Sequence, residues 1–226
     1  MKKTLYLTAM AIVLTTSYAQ AQFKIGARAG FSLTNLLVAT EGTKMRPGFQ
    51  VGVVGDYALS NAFSLQSGIL YAMQGCKYNA KEGSYMDYHT EMKGTYHLNY
   101  IQVPVHAQYK IGLGGIKLLF QAGPYLGYGL GGKVKIDVIV NGEKDDPINE
   151  KIKMGSGKDN PYKAFDFGLG FGAGLQFGNL QAALGYQFGL IDLVNAKYIE
   201  AQEVSIERNK IKNAALSLTL TYLFGK

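Results

Sequence analysis

The segment Ala164–Phe177 alternates between large apolar side chains and small or polar ones along its whole length. Successive side chains of a β-strand point to opposite faces, so this segment has two very different faces. One face carries Phe165, Phe167, Leu169, Phe171, Ala173, Leu175 and Phe177. The other carries Asp166, Gly168, Gly170, Gly172, Gly174 and Gln176. This pattern is typical of a transmembrane strand, with hydrocarbon on one side and a crowded polar interior on the other.

The same period of two recurs in seven further segments. Each segment approaches or exceeds the roughly 9–11 residues that a tilted strand needs to cross a bilayer. The eight predicted strands are Phe23–Leu33, Phe49–Leu59, Phe63–Cys76, Tyr96–Lys110, Ile116–Leu130, Ala164–Phe177, Leu180–Gly189 and Ala214–Phe224. We therefore predict an all-β fold, an eight-stranded antiparallel up-and-down transmembrane β-barrel.

The connections between these strands alternate between long and short. The short ones are Ser60–Asn61, Ile111–Gly115 and Gly178–Asn179. The long ones are Asn35–Arg46, Lys77–Thr95, Gly131–Lys163 and roughly Asp192–Lys212. Outer-membrane barrels have short periplasmic turns and longer external loops. Because the number of strands is even and the first connection is long, the order predicts that both termini are periplasmic.

The third long connection contains a hairpin pattern of its own. Four β-branched residues alternate up to Asn141–Gly142, a two-residue hairpin signal, and they are Val134, Ile136, Val138 and Val140. The fifth strand is therefore expected to continue above the membrane and return through Ile148 and Ile152. In the last long connection Val204 and Ile206 have strand spacing and predict a similar projection. Such extensions either stiffen the loops or offer an edge for a protein partner.

The N-terminus has the three parts of a secretory signal peptide in order. Lys2 and Lys3 are basic, Leu5–Thr16 is apolar, and Ala19–Ala21 is a small-x-small cleavage site. We predict a signal peptide over residues 1–21, cleavage between Ala21 and Gln22, and a barrel domain over residues 22–226. No later stretch has the roughly 18 continuous apolar residues of a transmembrane helix. An exported membrane chain of this kind would cross the membrane with strands.

A soluble lipocalin-like barrel also has eight alternating strands, with its apolar face inside. The charges argue against it, because the strand charges lie opposite the apolar face, namely Lys24, Arg28, Asp56, His106, Lys110, Lys117 and Asp166. Seven charges would be few for a soluble exterior. An eight-stranded lumen is just wide enough to be filled by side chains. We expect Arg28, Asp56 and Asp166 to meet there as a charge cluster, either as a salt-bridged plug or as an ion path.

Motifs for catalysis and metal binding are sparse. Asp87 and His89 share the second external loop, and such a pair can activate water in a surface hydrolase or acyltransferase. Asp145–Asp146 with Asn149 and Glu150 supplies oxygen ligands but lacks an ordered calcium-loop spacing. The glycine runs lie inside strands, whereas a nucleotide-binding fingerprint opens a helix. We predict no catalytic residues, no metal and no cofactor.

The formal net charge of +7 falls to +5 once Lys2 and Lys3 are removed with the signal peptide. The basic residues are scattered and mixed with acidic ones, which excludes the basic stripe of a nucleic-acid-binding protein. Loop lysines that contact phosphates of an outer-leaflet lipid are an alternative to ordinary solvated charge. The lone Cys76 cannot form an internal disulfide.

Several strand motifs, in order along the chain, resemble those of the PorT-like outer-membrane β-barrel domain found in Bacteroidetes. The matching segments are Tyr100–Val105 with Tyr109, Gly123–Tyr128, Asp166–Gly174, Tyr186–Leu190 and Leu216–Phe224. The resemblance implies an outer-membrane barrel of about eight strands, and the family's name-giving member is linked to a secretion machine for surface proteins. Gly225–Lys226 departs from outer-membrane proteins that end on the aromatic residue itself, although Tyr222 and Phe224 remain available to the barrel-assembly machinery.

Together these patterns predict a monomeric outer-membrane barrel with a filled lumen that acts through its external loops as a scaffold or binding protein. Its expected contacts are outer-membrane lipid, the barrel-assembly machinery during insertion and an envelope protein partner. Three alternatives remain open at this point. They are an accessory subunit of an envelope secretion or assembly complex, a narrow channel, and a surface hydrolase or acyltransferase that uses Asp87 and His89.

Overall fold

A computed structural model describes residues 22–37, 43–85, 88–140, 143–144, 146–201 and 210–225 of the chain. The strands there are β1 (Phe23–Leu37), β2 (Thr43–Lys44), β3 (Arg46–Ala58), β4 (Phe63–Gln74), β5 (Lys77–Tyr85), β6 (Tyr88–Leu113), β7 (Ile116–Val140), β8 (Glu143–Lys144), β9 (Ile148–Ile152), β10 (Phe165–Phe177), β11 (Leu180–Gly189) and β12 (Lys212–Leu223). A short helix, α1 (Ala196–Ala201), precedes β12. None of the described helical residues forms a span that is long and apolar enough to cross a membrane.

Eight long strands pair side by side in chain order and close on themselves. The ring runs β1–β3–β4–β6–β7–β10–β11–β12 and returns to β1, and every pairing is antiparallel. The closing pair joins the first and last strands, with Gly26 opposite Leu223 and Leu37 opposite Lys212. Closure gives every strand two partners, which a hydrocarbon environment requires of the backbone. The prediction of an eight-stranded antiparallel barrel is confirmed.

The predicted alternation of faces appears directly in the exposure of the side chains. On the outer face Phe171 is 54% exposed and Leu184 is 56% exposed. Gln66, on the inner face, is 2% exposed. The barrel is therefore inverted relative to a soluble protein, with apolar residues outside and polar residues inside. This is the arrangement of a barrel whose outer wall contacts lipid.

The barrel interior leaves little room for side chains where the backbones of neighbouring strands approach closely. A Cβ atom on Gly123 of β7 would lie 2.0 Å from the carbonyl oxygen of Val105 in β6. A Cβ atom on Gly52 of β3 would lie 2.1 Å from the carbonyl oxygen of Ile69 in β4. Only glycine fits such positions without moving backbone. These glycines allow eight strands to enclose larger polar side chains elsewhere in the lumen.

At the end with the long connections, several strands continue beyond the ring as a second, smaller sheet. The strands β6 and β7 stay paired as far as Thr90 opposite Val140. The strand β5 adds to β6, β2 adds to β5, and β9 adds to the far side of β7. We call this sheet of β2, β5, β9 and the upper parts of β6 and β7 the external extension. The predicted return of the chain is confirmed, since Ile148 lies opposite Ile136 and Ile152 opposite Gly132.

Other details of the long connections differ from the predictions. Within the segment Lys77–Thr95, β5 and the start of β6 pair antiparallel, from Lys77 opposite Thr95 to Tyr85 opposite Tyr88. The strand β4 ends at Gln74 instead of Cys76, where Gly75 adopts a φ of 133°. The last long connection begins with α1. Val204, Ile206 and the predicted Asn141–Gly142 turn lie outside the described residues.

A β-bulge in β7 reverses the faces of that strand where it leaves the barrel. Asn99 lies opposite Gly131 and Tyr100 opposite Gly129, so Leu130 is an extra residue without a partner. Gly131 has a φ of 112°, which side-chain-bearing residues rarely adopt. Below the bulge the even-numbered Tyr128 and Leu130 point outward, and above it the even-numbered Val134 points inward and is buried.

The inward face of the external extension covers an apolar core above the barrel lumen, which we call the cap core. Its buried members come from β1, β6, β7, β9 and the connections, and they are Leu36, Cys76, Leu98, Tyr100, Val134, Ile152 and Leu193. Tyr96, Ile136, Met154, Tyr162 and Ile211 pack against them. Burial raises the pKa of the Cys76 thiol to about 11 and also raises the pKa of the Tyr162 hydroxyl. The described parts of the long connections thus form a packed layer over this end of the barrel.

Replacing Leu193 with alanine tests this layer. The Leu193 side chain is fully buried in the cap core, so Leu193→Ala should cost about 2–5 kcal/mol of local stability. At pH 7 the Cys76 thiol should react slowly with iodoacetamide in the parent protein and many times faster in the variant. The alkylation rate measures this opening directly. Leu190→Ala removes an exposed leucine nearby and should leave the rate unchanged; equal rates in all three proteins would contradict a packed cap.

Candidate functional site

The centre of the lumen is occupied by the guanidinium group of Arg28, which β1 directs inward. Its Nε donates to Thr221 Oγ1 of β12 at 2.8 Å, and its Nη2 donates to Gln66 Oε1 of β4. Arg28 of β1 is thereby bonded to the adjacent strand β12 on one side and to β4, two strands away, on the other. A guanidinium group has five N–H donors in a planar fork and suits such a bridging position.

Gln66 connects Arg28 to the carboxylate of Asp56 on β3. Its Nε2 donates to Asp56 Oδ2 at 3.2 Å, and Ser64 Oγ donates to the same oxygen at 3.2 Å. Lys110 Nζ of β6 lies 3.4 Å from both carboxylate oxygens and forms a buried ion pair. The carboxylate therefore has two neutral donors and one cation. Buried charges persist when they are compensated in this way.

A set of glutamines extends the network across the lumen. Gln66 Nε2 also donates to Gln181 Oε1 at 3.1 Å, and Gln108 Nε2 donates to Gln121 Oε1 at 3.3 Å. Gln181 Nε2 donates to Gln108 Oε1 at 3.5 Å and links the two pairs. An amide side chain both donates and accepts, so it can fill space between strands while satisfying its neighbours. The period-two pattern placed these glutamines inside, but only the register shows which of them meet.

Asp166 lies in a separate group next to the cap core. Its Oδ2 accepts from Tyr125 Oη at 3.1 Å and from Asn213 Nδ2 at 2.9 Å. Its Oδ1 has no hydrogen-bond partner, and neither has Asn213 Oδ1. Among the described side chains no lysine, arginine or histidine pairs with Asp166. Its partners are neutral donors, and the sequence pattern did not indicate Asn213 as one of them.

Of the three residues predicted to form a charge cluster, the structure brings Arg28 and Asp56 together through Gln66. It places Asp166 in a different hydrogen-bond group, and none of the hydrogen bonds in the described part of the chain joins the two groups. The cation that forms an ion pair with Asp56 is Lys110. Alternation placed Lys110 on the inner face but did not indicate that it would be the partner of Asp56. Of the predicted cleavage site, Gln22 accepts a backbone hydrogen bond from Ala58 at 2.7 Å, whereas Ala21 lies outside the described residues.

The lumen also contains apolar residues that the sequence analysis did not assign to it. Val54, Leu70 and Leu223 form a buried cluster from β3, β4 and β12. Val54 and Leu70 sit in continuous apolar runs, where the period of two is hidden because both neighbours are apolar as well. Each nevertheless keeps the alternation of its strand, since Val54 shares a face with Asp56 and Leu70 with Gln66.

Very little empty space remains inside the barrel. A cavity lined by Arg28, Gln50, Gln102, His106 and Thr219, among others, has a volume of about 30 Å³. That is room for about one water molecule. The described side chains therefore fill the barrel at the level of Arg28, and the cap core covers it above.

A much larger groove, of about 650 Å³, lies on the outer wall. Its floor is formed by the small residues Ala107, Ala122 and Ala173. Two aromatic pairs flank the floor, with ring centroids 4.8 Å apart for Phe63–Tyr109 and 5.8 Å apart for Phe171–Tyr186. The groove opens outward, so in a membrane the acyl chains of lipid would fill it. It belongs to the lipid-facing surface and not to the lumen.

The loop residues considered for chemistry fall largely beyond what the structure describes. Asp87 and Asp145 lie outside the described residues, and of His89 only the backbone, in β6, is described. Asn149 donates from Nδ2 to the carbonyl oxygen of Pro147 at 3.3 Å. No group of His, Cys, Asp or Glu residues in the described ranges could hold a metal ion.

Comparison with known protein families identifies one match that covers most of the chain. The sequence model of the outer membrane protein beta-barrel domain matches residues 18–195. Among curated proteins none matches the chain. The family match starts before the first described strand and ends after β11, so it includes seven of the eight ring strands.

Three solved structures that the chain matches are distant from it in sequence. Neisserial surface protein A is 14% identical, with 88% of this chain and 97% of that chain covered and a TM-score of 0.41. Ail of Yersinia pestis, in complex with the heparin analogue sucrose octasulfate, is 15% identical, with 90% and 99% covered and a TM-score of 0.40. The outer membrane protein OprG from Pseudomonas aeruginosa is 10% identical, with 91% and 97% covered and a TM-score of 0.43.

Proposed function

The chain belongs to the outer membrane protein beta-barrel domain family, and from this we propose that it is a closed, non-catalytic barrel that presents the external extension as a surface scaffold or binding protein. The single observation that carries the proposal is the filled lumen. Arg28, Asp56, Lys110 and the glutamines around them are bonded to one another across it, and the cavity beside Arg28 has about 30 Å³.

The cap core supports the same proposal from the outer end. A channel needs a continuous polar path, whereas here Leu98, Tyr100 and Leu193 are almost completely buried directly above the polar lumen. An apolar layer of this kind opposes the passage of ions, because an ion would lose its hydration there. It also holds the external extension at a defined position, which favours recognition by its surface over transport through its centre.

Conductance in planar lipid bilayers tests the proposal. The purified protein should insert without producing stable current steps, because the lumen has no continuous water-filled path. A variant with the three lumen glutamines shortened and the cap core opened, Gln66→Ala with Gln108→Ala, Gln181→Ala and Leu193→Ala, should conduct intermittently and acts as the control for insertion. Steady current steps from the unaltered protein, equal to those of this variant, would show that the barrel is a channel.

We further propose that both termini are periplasmic and that the external extension faces outward from the cell. The three short connections support this orientation, since they lie at the end of the barrel opposite the external extension. The proposed signal peptide over residues 1–21, cleaved between Ala21 and Gln22, supplies the export that an outer-membrane location requires. Export followed by insertion from the periplasmic side leaves the longer connections outside.

The finer placement among PorT-like barrels of Bacteroidetes is likewise a proposal. It is supported by the motifs Tyr100–Val105 on β6, Gly123–Tyr128 on β7 and Asp166–Gly174 on β10, which are neighbours in the ring. We propose a monomer that contacts outer-membrane lipid, the barrel-assembly machinery and an envelope protein partner. An accessory role in an envelope secretion complex is the form this partnership would take in such a family.

The absence of catalysis stays a prediction. It is supported by the neutral hydrogen-bond partners of Asp166 and by the structural bonding of Arg28 and Asp56, which leave no activated nucleophile within the described lumen. The pair Asp87 and His89 remains the alternative for a surface hydrolase or acyltransferase.

A further inference from the structure

The outward face of the external extension is unusually rich in lysine. Cross-strand partners project to the same face of a sheet, so the pairings define rows of neighbouring side chains. The lowest row runs His97, Lys133, Lys151 across β6, β7 and β9. The next row runs Lys44, Lys77, Thr95, Lys135, Asn149 across all five strands. Lys93 lies opposite Asp137 in the row above.

The charge on this face is only partly compensated. Two acidic residues share it, and each pairs with one lysine: Glu91 with Lys93 at 3.1 Å and Asp137 with Lys135 at 3.2 Å. All six lysines are exposed. Lys44, Lys77, Lys133 and Lys151 are not part of the ion pairs formed within the described residues. The described part of the face thus carries an excess of about four positive charges, which we call the lysine face.

The lysine face continues directly from the wall that faces lipid. On β6 the outward positions run from Ile101 through Asn99 to His97, and Ile101 lies opposite Tyr128, which is 61% exposed. Tyrosines at this level are typical of the membrane–water interface. The lowest lysine row is four residues above Ile101, roughly 13 Å along the strand at about 3.3 Å per residue. The tilt of the strands makes the height above the membrane smaller than that.

This position matches the layer where lipid headgroups carry their phosphates. Lysine side chains extend their charged ends toward such a layer while their methylene groups lie along the protein. The opposite face of β6, β7 and β9 packs on the cap core, so the lysines of β7 and β9 cannot turn inward. Each lysine near an anionic surface strengthens binding severalfold, and salt weakens the effect.

We propose that the lysine face binds phosphate groups on the headgroups of outer-leaflet glycolipids that surround the barrel. The occupant is a lipid and not a soluble anion, because the face is continuous with the lipid-facing wall and lies at headgroup height. The proposal rests on the outward orientation of the external extension given above. Binding can be measured in detergent micelles, where it depends neither on orientation nor on whether the barrel conducts.

The probe is lipid A, a diphosphorylated glycolipid, titrated against the purified full-length protein in a nonionic detergent. Three lysines without ion pairs in the described structure are exchanged together, as Lys77→Gln, Lys133→Gln and Lys151→Gln. This variant should bind lipid A at least tenfold more weakly than the parent, and the parent's binding should weaken with added salt. The matched control exchanges Lys158, Lys197 and Lys210, which are exposed elsewhere, for glutamine and should bind like the parent.

Further measurements separate this proposal from its rivals. A triple Lys→Arg variant at positions 77, 133 and 151 should retain binding, because the charge is kept. Dephosphorylated lipid A should bind weakly to the parent. Equal weakening in both glutamine variants would overturn the proposal in favour of net charge alone. Binding of soluble polyphosphate with no binding of lipid A would overturn it in favour of a soluble anion. Unchanged heat-dependent gel mobility confirms that each variant is folded.

Discussion

Replacing Asp56 with alanine should lower the free energy of unfolding by about 3–5 kcal/mol. The carboxylate is almost completely buried and is the acidic partner of Lys110 at 3.4 Å and, through Gln66, of Arg28. Without it, two cations would remain in a narrow lumen with no negative charge between them. Urea unfolding of the protein folded into lipid vesicles, followed by heat-dependent gel mobility, measures the loss.

Two variants make the test specific to the buried charge. Asp56→Asn keeps the size of the side chain and an acceptor oxygen for Ser64 and Gln66 but removes the charge, so it should lose a large share of the same free energy. Asp159→Asn changes an exposed carboxylate and should have little effect, since surface charges contribute about 0–1 kcal/mol. If Asp56→Ala unfolds at the same urea concentration as the parent, the lumen network does not stabilise the barrel.

Inserting one alanine between Gly132 and Lys133 should turn the upper part of β7 inside out. The bulge at Leu130 and Gly131 sets the phase of this part, with Gly132 and Val134 on the inner face and Lys133 on the outer face. One extra residue above the bulge would shift the alternation, so that Val134 would face outward and Lys133 would face the cap core. Because a slip of one residue moves every side chain of a strand to the opposite face, the cap core should be lost as a unit.

A single cysteine reports this reversal. In a Val134→Cys background the new thiol is buried and should react slowly with a maleimide, and the additional alanine between Gly132 and Lys133 should raise its rate by at least tenfold. Deletion of Gly131 is the matched control, because it removes the extra residue of the bulge and leaves a regular alternation with position 134 still inward, so the thiol should stay protected. Protection that persists after the insertion would show that the alternation of β7 does not determine the faces. The buried Cys76 provides the background rate in each protein.

The ring of eight strands could be predicted because hydrophobic alternation is local and strong. Leu175 and Phe177 are two residues apart and therefore share one face of the strand, whichever strands lie beside it. In a membrane the apolar face of such a strand is the one that contacts lipid. The boundaries were harder to predict. The strand β6 starts at Tyr88, eight residues before its predicted start at Tyr96, since pairing with β5 and β7 continues beyond the level where the lipid-facing pattern ends.

The candidate site was predictable only in part. Alternation placed Arg28, Asp56 and Asp166 on the inner face, yet a separation of 28 residues between Arg28 and Asp56 carries no information about distance. Their connection arises because Arg28 lies opposite Gly52 and Thr221, and Asp56 opposite Gln66, in the barrel register. Asp166 pairs instead with Gly127, and the side chains bonded to it are those of Tyr125 and Asn213, which are neutral.

The lysine face shows most clearly where local pattern ends and tertiary structure begins. The sequence alone determined that Val134 and Ile136 share one face of β7 and that Lys133 and Lys135 share the other, because that follows from the geometry of any strand. It did not determine which face points outward. The bulge at Gly131 and the pairing of β7 with β6 and β9 decided this, since they bury the valine and isoleucine against Leu98 and Ile152. Burial of apolar surface in the cap core is what holds the lysines at the membrane surface.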